Sequence, residues 1–440
     1  MSTVVALVMA ILPDVRPSQT VDASWASVLT YAHTHGLQFG TDVIFTYGPL
    51  GFLLTSDSIQ YAPWVTAANL AFCFVIALGL CLVISRQTPP WRVLVIGCFV
   101  LIAANIPSVS PDFTYLGLFC WGLLCLVEAS SESRVVSVSV LALVAAVAAL
   151  VKVTCLIAAV VCIAAVSSQL AMSRRPKLAA LLPSLFCVTF LGGWAACGQD
   201  LFHLPAFVST GLRMALGYSQ SMSVEPPALA VIPMVLTGLT AAASVFLYGT
   251  TAFRQQQSYR TLRRVILCGW VLLFLFLAWK QSVVRADSQH MVVLFEFAVC
   301  SVALGSLSAE STKLFAWARG LGAIACMFAV VATQVVLDPS YAQVDKPMAA
   351  LLGNTHMLLH PRLHTQEMSR KAAWESYRAE LSAVRSAVGH ATVDSLGNNQ
   401  AFAVLNQLNY HPRPVFQSYA AFTSSEMQRN EDFFLSSRAP

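Results

Sequence analysis

Apolar residues in this chain come in long, even blocks, and polar residues are confined to the gaps between them. A helix needs about 20 apolar residues to cross the hydrocarbon of a bilayer. Blocks of that kind are read at 62–85, 92–107, 112–128, 135–151, 153–171, 178–198, 228–249, 264–281, 289–308 and 317–337. An eleventh, Thr3 to Leu12, is too short to cross. It has no basic leader and no small-residue cleavage site before Pro13, so it reads as the stump of a first span that begins upstream, not as a signal peptide. The blocks at 135–151 and 153–171 are separated only by Lys152, with no Gly or Pro to make a turn.

Two polar regions stand apart from the blocks. The first is a loop over 14–61, and the second is a tail over 338–440. Within the tail, Thr365 to Val388 carries apolar Met368, Ala372, Leu381, Val384 and Val388 at helical spacing, with Gly389 as a stop. Thr392-Val393 and Pro414-Val415-Phe416 read as short strands. The fold class is therefore an α-helical polytopic membrane protein of ten or eleven transmembrane helices (1–337) carrying a small extracytoplasmic α/β domain (338–440). The tail stops after Asn430-Glu431-Asp432-Phe433-Phe434 and is expected to be incomplete.

Charge turns the pattern into an orientation. Every second short connection is basic: Arg86 with Arg92, Arg134, then Arg174, Arg175 and Lys177, then Arg254, Arg260, Arg263 and Arg264, then Lys313 with Arg319. The intervening connections carry Asp22, Asp42, Asp57, Asp112, Asp200, Glu225 and Asp287. Lys and Arg are retained in cytoplasmic loops. The N-terminus is thus expected inside, the first loop and the tail outside, and Lys152 at the outer surface. With 57% hydrophobic residues, 11% charged and a mean hydropathy of +0.67, the net charge of +5 reflects orientation and not nucleic-acid binding. All twelve cysteines fall inside apolar blocks and form no CxxC pair, which argues against a disulfide framework and a cysteine zinc site.

Candidate chemistry collects on the outer side. Asp22 precedes a helical stretch, Ala26 to His35, and Asp42 precedes the turn cluster Phe45-Thr46-Tyr47-Gly48-Pro49-Leu50-Gly51. Asp22 is equally an N-cap candidate; alternatively, either acid is a general base at the membrane surface, deprotonating a hydroxyl that attacks an activated sugar. A second constellation, Lys280, Arg285, Asp287 and His290, occupies a short outer loop where cations are normally avoided. With Lys152 it offers a clamp for a lipid phosphate; a local Arg285–Asp287 pair is the simpler alternative. Glu296 lies inside an apolar block, where an ionisable group faces a partner or a transport path. Asp112 follows Pro111 at a span start and reads as a cap. His356, His360 and His364 are spaced by four, but Pro361 interrupts their helix, so metal binding is not assigned. No cofactor is indicated, although a divalent ion is compatible with the acids. P-loop, dinucleotide-binding, serine-hydrolase and HExxH motifs are absent from the sequence.

An acid soon after the first span, an interfacial helix, an aromatic-Gly-Pro turn, an 11-span layout and an outer C-terminal domain together resemble the GT-C class of polytopic glycosyltransferases. The segments Phe45 to Gly51, Val284-Arg-Ala-Asp-Ser-Gln-His290 and Pro412-Arg-Pro-Val-Phe-Gln-Ser-Tyr419 also resemble a group of uncharacterised bacterial membrane proteins. In the GT-C class an acidic base in the first outer loop serves transfer from a polyprenyl-phosphate carrier. The resemblance puts Asp22 in that role, although Ala23 follows it where several members carry an Asp-Glu pair. It implies a bacterial inner-membrane enzyme whose partners are the bilayer, a polyprenyl-phosphate-linked sugar, and an acceptor glycan, lipid or protein. The alternative function is a transporter or flippase for a lipid-linked or small polar solute, with Glu296 and Lys152 on its path. Two pseudo-symmetric halves, which many transporters show, are not visible.

Overall fold

A computed structural model describes residues 1–10, 21–55, 63–85, 111–127, 131–225, 258–286 and 346–440, with a few positions between 228 and 242. The described chain is mostly helical. Helices α1 (Ser2–Met9), α2 (Val21–Thr34) and α3 (Pro63–Ser85) are followed by α4 (Pro111–Val127), α5 (Ser131–Val151), α6 (Val153–Met172) and α7 (Pro176–Ala196). Then come α8 (Leu204–Ser221) and α9 (Ser258–Val284).

Four of these segments are long and apolar enough to cross a membrane: α3, residues 134–151 of α5, α6 and α7. Shorter apolar stretches lie in α4 and α9. Their outward faces carry bare aliphatic side chains, among them Val160, Val161, Val188 and Leu191. Water would penalise such a surface, whereas a lipid bilayer is its natural solvent. The blocks at 92–107, 289–308 and 317–337, and most of 228–249, lie outside the described residues.

The helices approach one another through small residues. A side chain at Gly122 of α4 would collide with the indole of Trp270 in α9, and Trp270 Nε1 donates to the Phe119 carbonyl at 3.4 Å. Trp121 Nε1 donates to the Val75 carbonyl of α3 at 3.0 Å. Glycine lets the backbones close up, and the indole N–H groups then find carbonyl acceptors.

The tail folds as α10 (Lys346–Leu359), α11 (Pro361–Arg378), α12 (Ser382–Val388), β1 (Thr392–Val393), α13 (Ala401–Leu405), β2 (Asn409–Tyr410) and α14 (Ser424–Phe434). It is a small α/β unit whose only described sheet is the parallel pair β1–β2. Two expectations change here. The single helix expected over 365–388 is broken at Ala379–Leu381, because the Asn406 side chain captures both ends of the break. Asn406 Nδ2 donates to the Ala379 carbonyl at 2.9 Å, and Leu381 N donates to Asn406 Oδ1 at 2.7 Å. Gly389, at φ 59°, ends α12 as the sequence suggests. The strand expected at 414–416 is instead a bend docked on the first loop, where Ile44 N donates to the Pro414 carbonyl at 2.8 Å. The partner of β1 is Asn409–Tyr410.

Candidate functional site

The first loop, α8, the C-terminal end of α9 and the tail gather at one end of the apolar helices. The gathering begins at Lys152, an extended residue (φ −146°, ψ 131°) between α5 and α6. A break there leaves the last carbonyls of α5 and the first amides of α6 without helical partners, which is costly away from water. The first loop supplies them. Gly48 N donates to the Val151 carbonyl at 2.8 Å, Leu50 N to the Leu150 carbonyl at 3.0 Å, and Val153 N to the Thr46 carbonyl at 3.1 Å. Tyr47 and Lys152 thereby form an antiparallel bridge. The Tyr-Gly-Pro-Leu-Gly turn is thus the cap of a broken helix pair, which explains a boundary that lacks its own turn residues.

The same contacts link two candidate residues through two aromatic rings. Lys152 Nζ stands 5.6 Å from the centre of the Tyr47 ring. Tyr47 stacks on Trp25 at 4.8 Å with an interplanar angle of 19°. Trp25 Nε1 donates to Asp22 Oδ1 at 3.0 Å. Asp22 sits in the first turn of α2 and is exposed, and Lys152 is half-buried.

A second path leads from Asp22 to Arg285 through the tail. Ser24, fully buried, accepts from Ala401 N at 2.9 Å and donates to Gln400 Oε1 at 3.3 Å. Gln417 Nε2 donates to the same Gln400 oxygen at 2.8 Å. Asp22 and Tyr419 each lie two residues from this junction. On the other flank, Val224 bridges Arg285, with Val224 N donating to the Val284 carbonyl at 2.9 Å. Tyr218 of α8 meets Phe422 edge to face at 5.8 Å, and Arg213 donates to Ser425 Oγ at 3.0 Å. Burial pushes the Tyr419 phenol well above its ordinary range. The Asp22 charge adds to that shift, the Arg285 charge opposes it, and Tyr218 adds a smaller rise. Tyr419 therefore lies within electrostatic reach of both.

What holds Tyr419 in place is Arg413, almost fully buried. Its Nη1 meets Asp394 Oδ2 at 2.6 Å and the Ser395 carbonyl at 2.7 Å. Its Nη2 donates to the Leu396 and Phe416 carbonyls, both at 3.0 Å, and to Ser418 Oγ at 2.7 Å. A buried guanidinium is tolerable only when its donors are satisfied in this way. Phe416 then packs on Phe45 at 5.0 Å.

The other candidates are placed differently. Asp42 accepts from Gln38 N at 3.0 Å through one oxygen and pairs with Arg438 at 2.6 Å through the other, so it closes its own loop and ties it to the tail. Lys280 is exposed on the last turns of α9. Asp112 is the second residue of α4. Asp287, His290 and Glu296 lie outside the described residues. His356 and His360 rings stand 4.8 Å apart, but among the described residues no group of His, Cys, Asp and Glu has the arrangement of a metal site. Tyr419 and Tyr218 were not singled out by sequence reasoning. The only signal for Tyr419 is that it ends the Pro412–Tyr419 segment. Comparison with family models, with curated proteins and with solved structures gives no match, so the reading of this site rests on its own residues.

Proposed function

We propose that the chain transfers a glycosyl unit from a polyprenyl-phosphate-linked donor to an acceptor hydroxyl at the outer face of a bacterial inner membrane. In this reading ten or eleven helices span the bilayer, the N-terminus is cytoplasmic and the tail is external. What supports it is that Asp22 is linked to Lys152 through the Trp25 and Tyr47 rings, and that Tyr419 is under the charges of both Asp22 and Arg285. Asp22 comes from the first loop, Lys152 from the α5–α6 break and Arg285 from the end of α9.

The roles follow from charge. Asp22 takes the proton of the acceptor hydroxyl as its oxygen bonds to the anomeric carbon and the bond from that carbon to the phosphate oxygen breaks. Lys152 and Arg285 stand against the phosphate, whose negative charge grows as it leaves with the lipid; Lys280, Asp287 and His290 complete the clamp in the wider reading. Arg suits this role as a planar fork and Lys as a point charge.

Transfer of labelled sugar by the full chain in lipid nanodiscs tests the reading. Asp22→Asn retains an acceptor oxygen for Trp25 Nε1 but no longer binds the proton, so the rate is expected to fall about 10²–10⁴-fold with unfolding unchanged. Asp42→Asn is the matched control. Arg285→Gln is expected to weaken donor binding roughly ten- to a hundred-fold, the equivalent of about 1.5–3 kcal/mol for a charge-assisted bond. If sugar is transferred and Asp22→Asn matches the parent rate, the assignment of the base fails. If no sugar is transferred while a lipid-linked solute crosses the bilayer, the transporter alternative stands in its place.

A further inference from the structure

The first helix of the tail has two faces with apolar side chains, and among the described residues only one of them is covered. α10 packs against α1 through Asn354 and Met357, both buried. Asn354 Nδ2 donates to the Leu7 and Ala10 carbonyls at 2.7 and 3.0 Å, taking up backbone groups that the end of α1 leaves open. α1 in turn packs on α3, one of the helices of membrane-spanning length. On the opposite side, Met348, Leu352 and Leu359 repeat at helical spacing and are 58–70% exposed. No charged residue occurs from Pro347 to Leu359.

We propose that the stripe Met348–Leu352–Leu359 is a lipid-contacting surface, seated in the leaflet that holds the C-terminal end of α1. The occupant is lipid acyl chain. Continuity argues for it: one face of α10 is fastened to an apolar helix that is itself fastened to a membrane-length helix, and the free face carries no charge. Amphipathic helices that lie in an interface bind through buried apolar area of this kind. The tail then begins as part of the membrane-bound body, and only from α11 onward does it become a polar domain. This inference rests on the membrane reading of the apolar helices and not on sugar transfer, so its test needs no activity.

The test replaces Leu352 or Leu359, one at a time, with the photoreactive p-benzoyl-phenylalanine in the full chain in native membranes. Met357 serves as the α1-facing control. Illumination is expected to yield phospholipid adducts at 352 and 359 and adducts with residues 1–10 from 357. Adducts at 352 and 359 with a second copy, with another segment of this chain or with another protein would overturn the proposal, and so would the absence of any adduct. Hydrogen exchange gives an independent reading in nanodiscs. The pair Leu352→Lys with Leu359→Lys is expected to speed exchange over residues 346–359 by about tenfold or more, because lipid disfavours the new charges. Unchanged exchange would likewise refute it.

Discussion

Gly48→Ala offers the most direct test of how this protein is held together. The added methyl would run into the Leu150 carbonyl oxygen and press on the Phe207 ring at 3.1 Å, with nothing flexible on the Leu150 side to yield. Relief requires the loop to back away from α5, which strains the two neighbouring bonds, Gly48 N to Val151 O and Leu50 N to Leu150 O. Each buried carbonyl that loses its donor costs about 1–3 kcal/mol. Losing both therefore costs roughly 2–6 kcal/mol, a large share of the 5–15 kcal/mol typical of a folded domain. Unfolding in mixed detergent micelles, followed by tryptophan fluorescence, measures the loss. Gly192→Ala is the control, because a methyl there meets nothing within 4 Å. It is expected to change stability by no more than about 1 kcal/mol, in the stabilising direction. If the two variants unfold alike, the first loop is not the cap of the helix break.

Four further outcomes are expected. Arg413→Met leaves Asp394 buried without its partner and should cost about 3–5 kcal/mol, read as proteolytic sensitivity over 394–418; resistance equal to the parent would count against the pinning role. His33 lies against Phe52 at 4.1 Å, and burial lowers its pKa. Its contribution to stability is thus complete above about pH 6.5, the unfolded value, and is lost as pH falls through the lower folded value. His33→Gln should flatten that part of the decline below about pH 6.5, and an unchanged slope would refute the assignment. Asp42→Asn breaks a pair whose Arg438 is half-exposed, so unfolding should shift by no more than about 1 kcal/mol. Reporters fused after Arg175 should read as cytoplasmic and those after Pro205 or Gly353 as external, and an inside reading at Gly353 would invert the orientation.

What the sequence discloses here is what depends on neighbours along the chain. The membrane-length helices at 63–85, 134–151, 153–172 and 176–196 follow from runs of apolar residues, and Gly389 stops α12 by its own backbone freedom. What it hides depends on residues far apart. Nothing near Lys152 announces that Thr46, Gly48 and Leu50 will cap the break, and nothing near Ala379 announces Asn406. Pro414 to Phe416 has strand-like composition but spends its backbone on Ile44 and its aromatic ring on Phe45. The site divides in the same way. Lys152 and Arg285 are legible as cations on a side that disfavours them and Asp22 as an acid ahead of a helix, whereas Tyr419 comes under the charges of Asp22 and Arg285 in a segment that Arg413 fixes from within the tail.

The capped break between α5 and α6 also dictates an order of assembly. The groups that repair it, the Gly48 and Leu50 amides and the Thr46 carbonyl, leave the ribosome about a hundred residues before α6 exists. When α5 and α6 emerge, their partner is already made, so the exposed carbonyls can be covered as the helix pair forms. The tail reverses this relation. Its docking points, Ile44 and Ser24, are synthesised well before their partners Pro414 and Gln400, and they wait for them. Because domains fold in the order of synthesis, the first loop serves twice as a template, early for the helices and late for the tail. The end of the molecule that carries Asp22 is therefore completed only after Gln400 and Pro414 have been made.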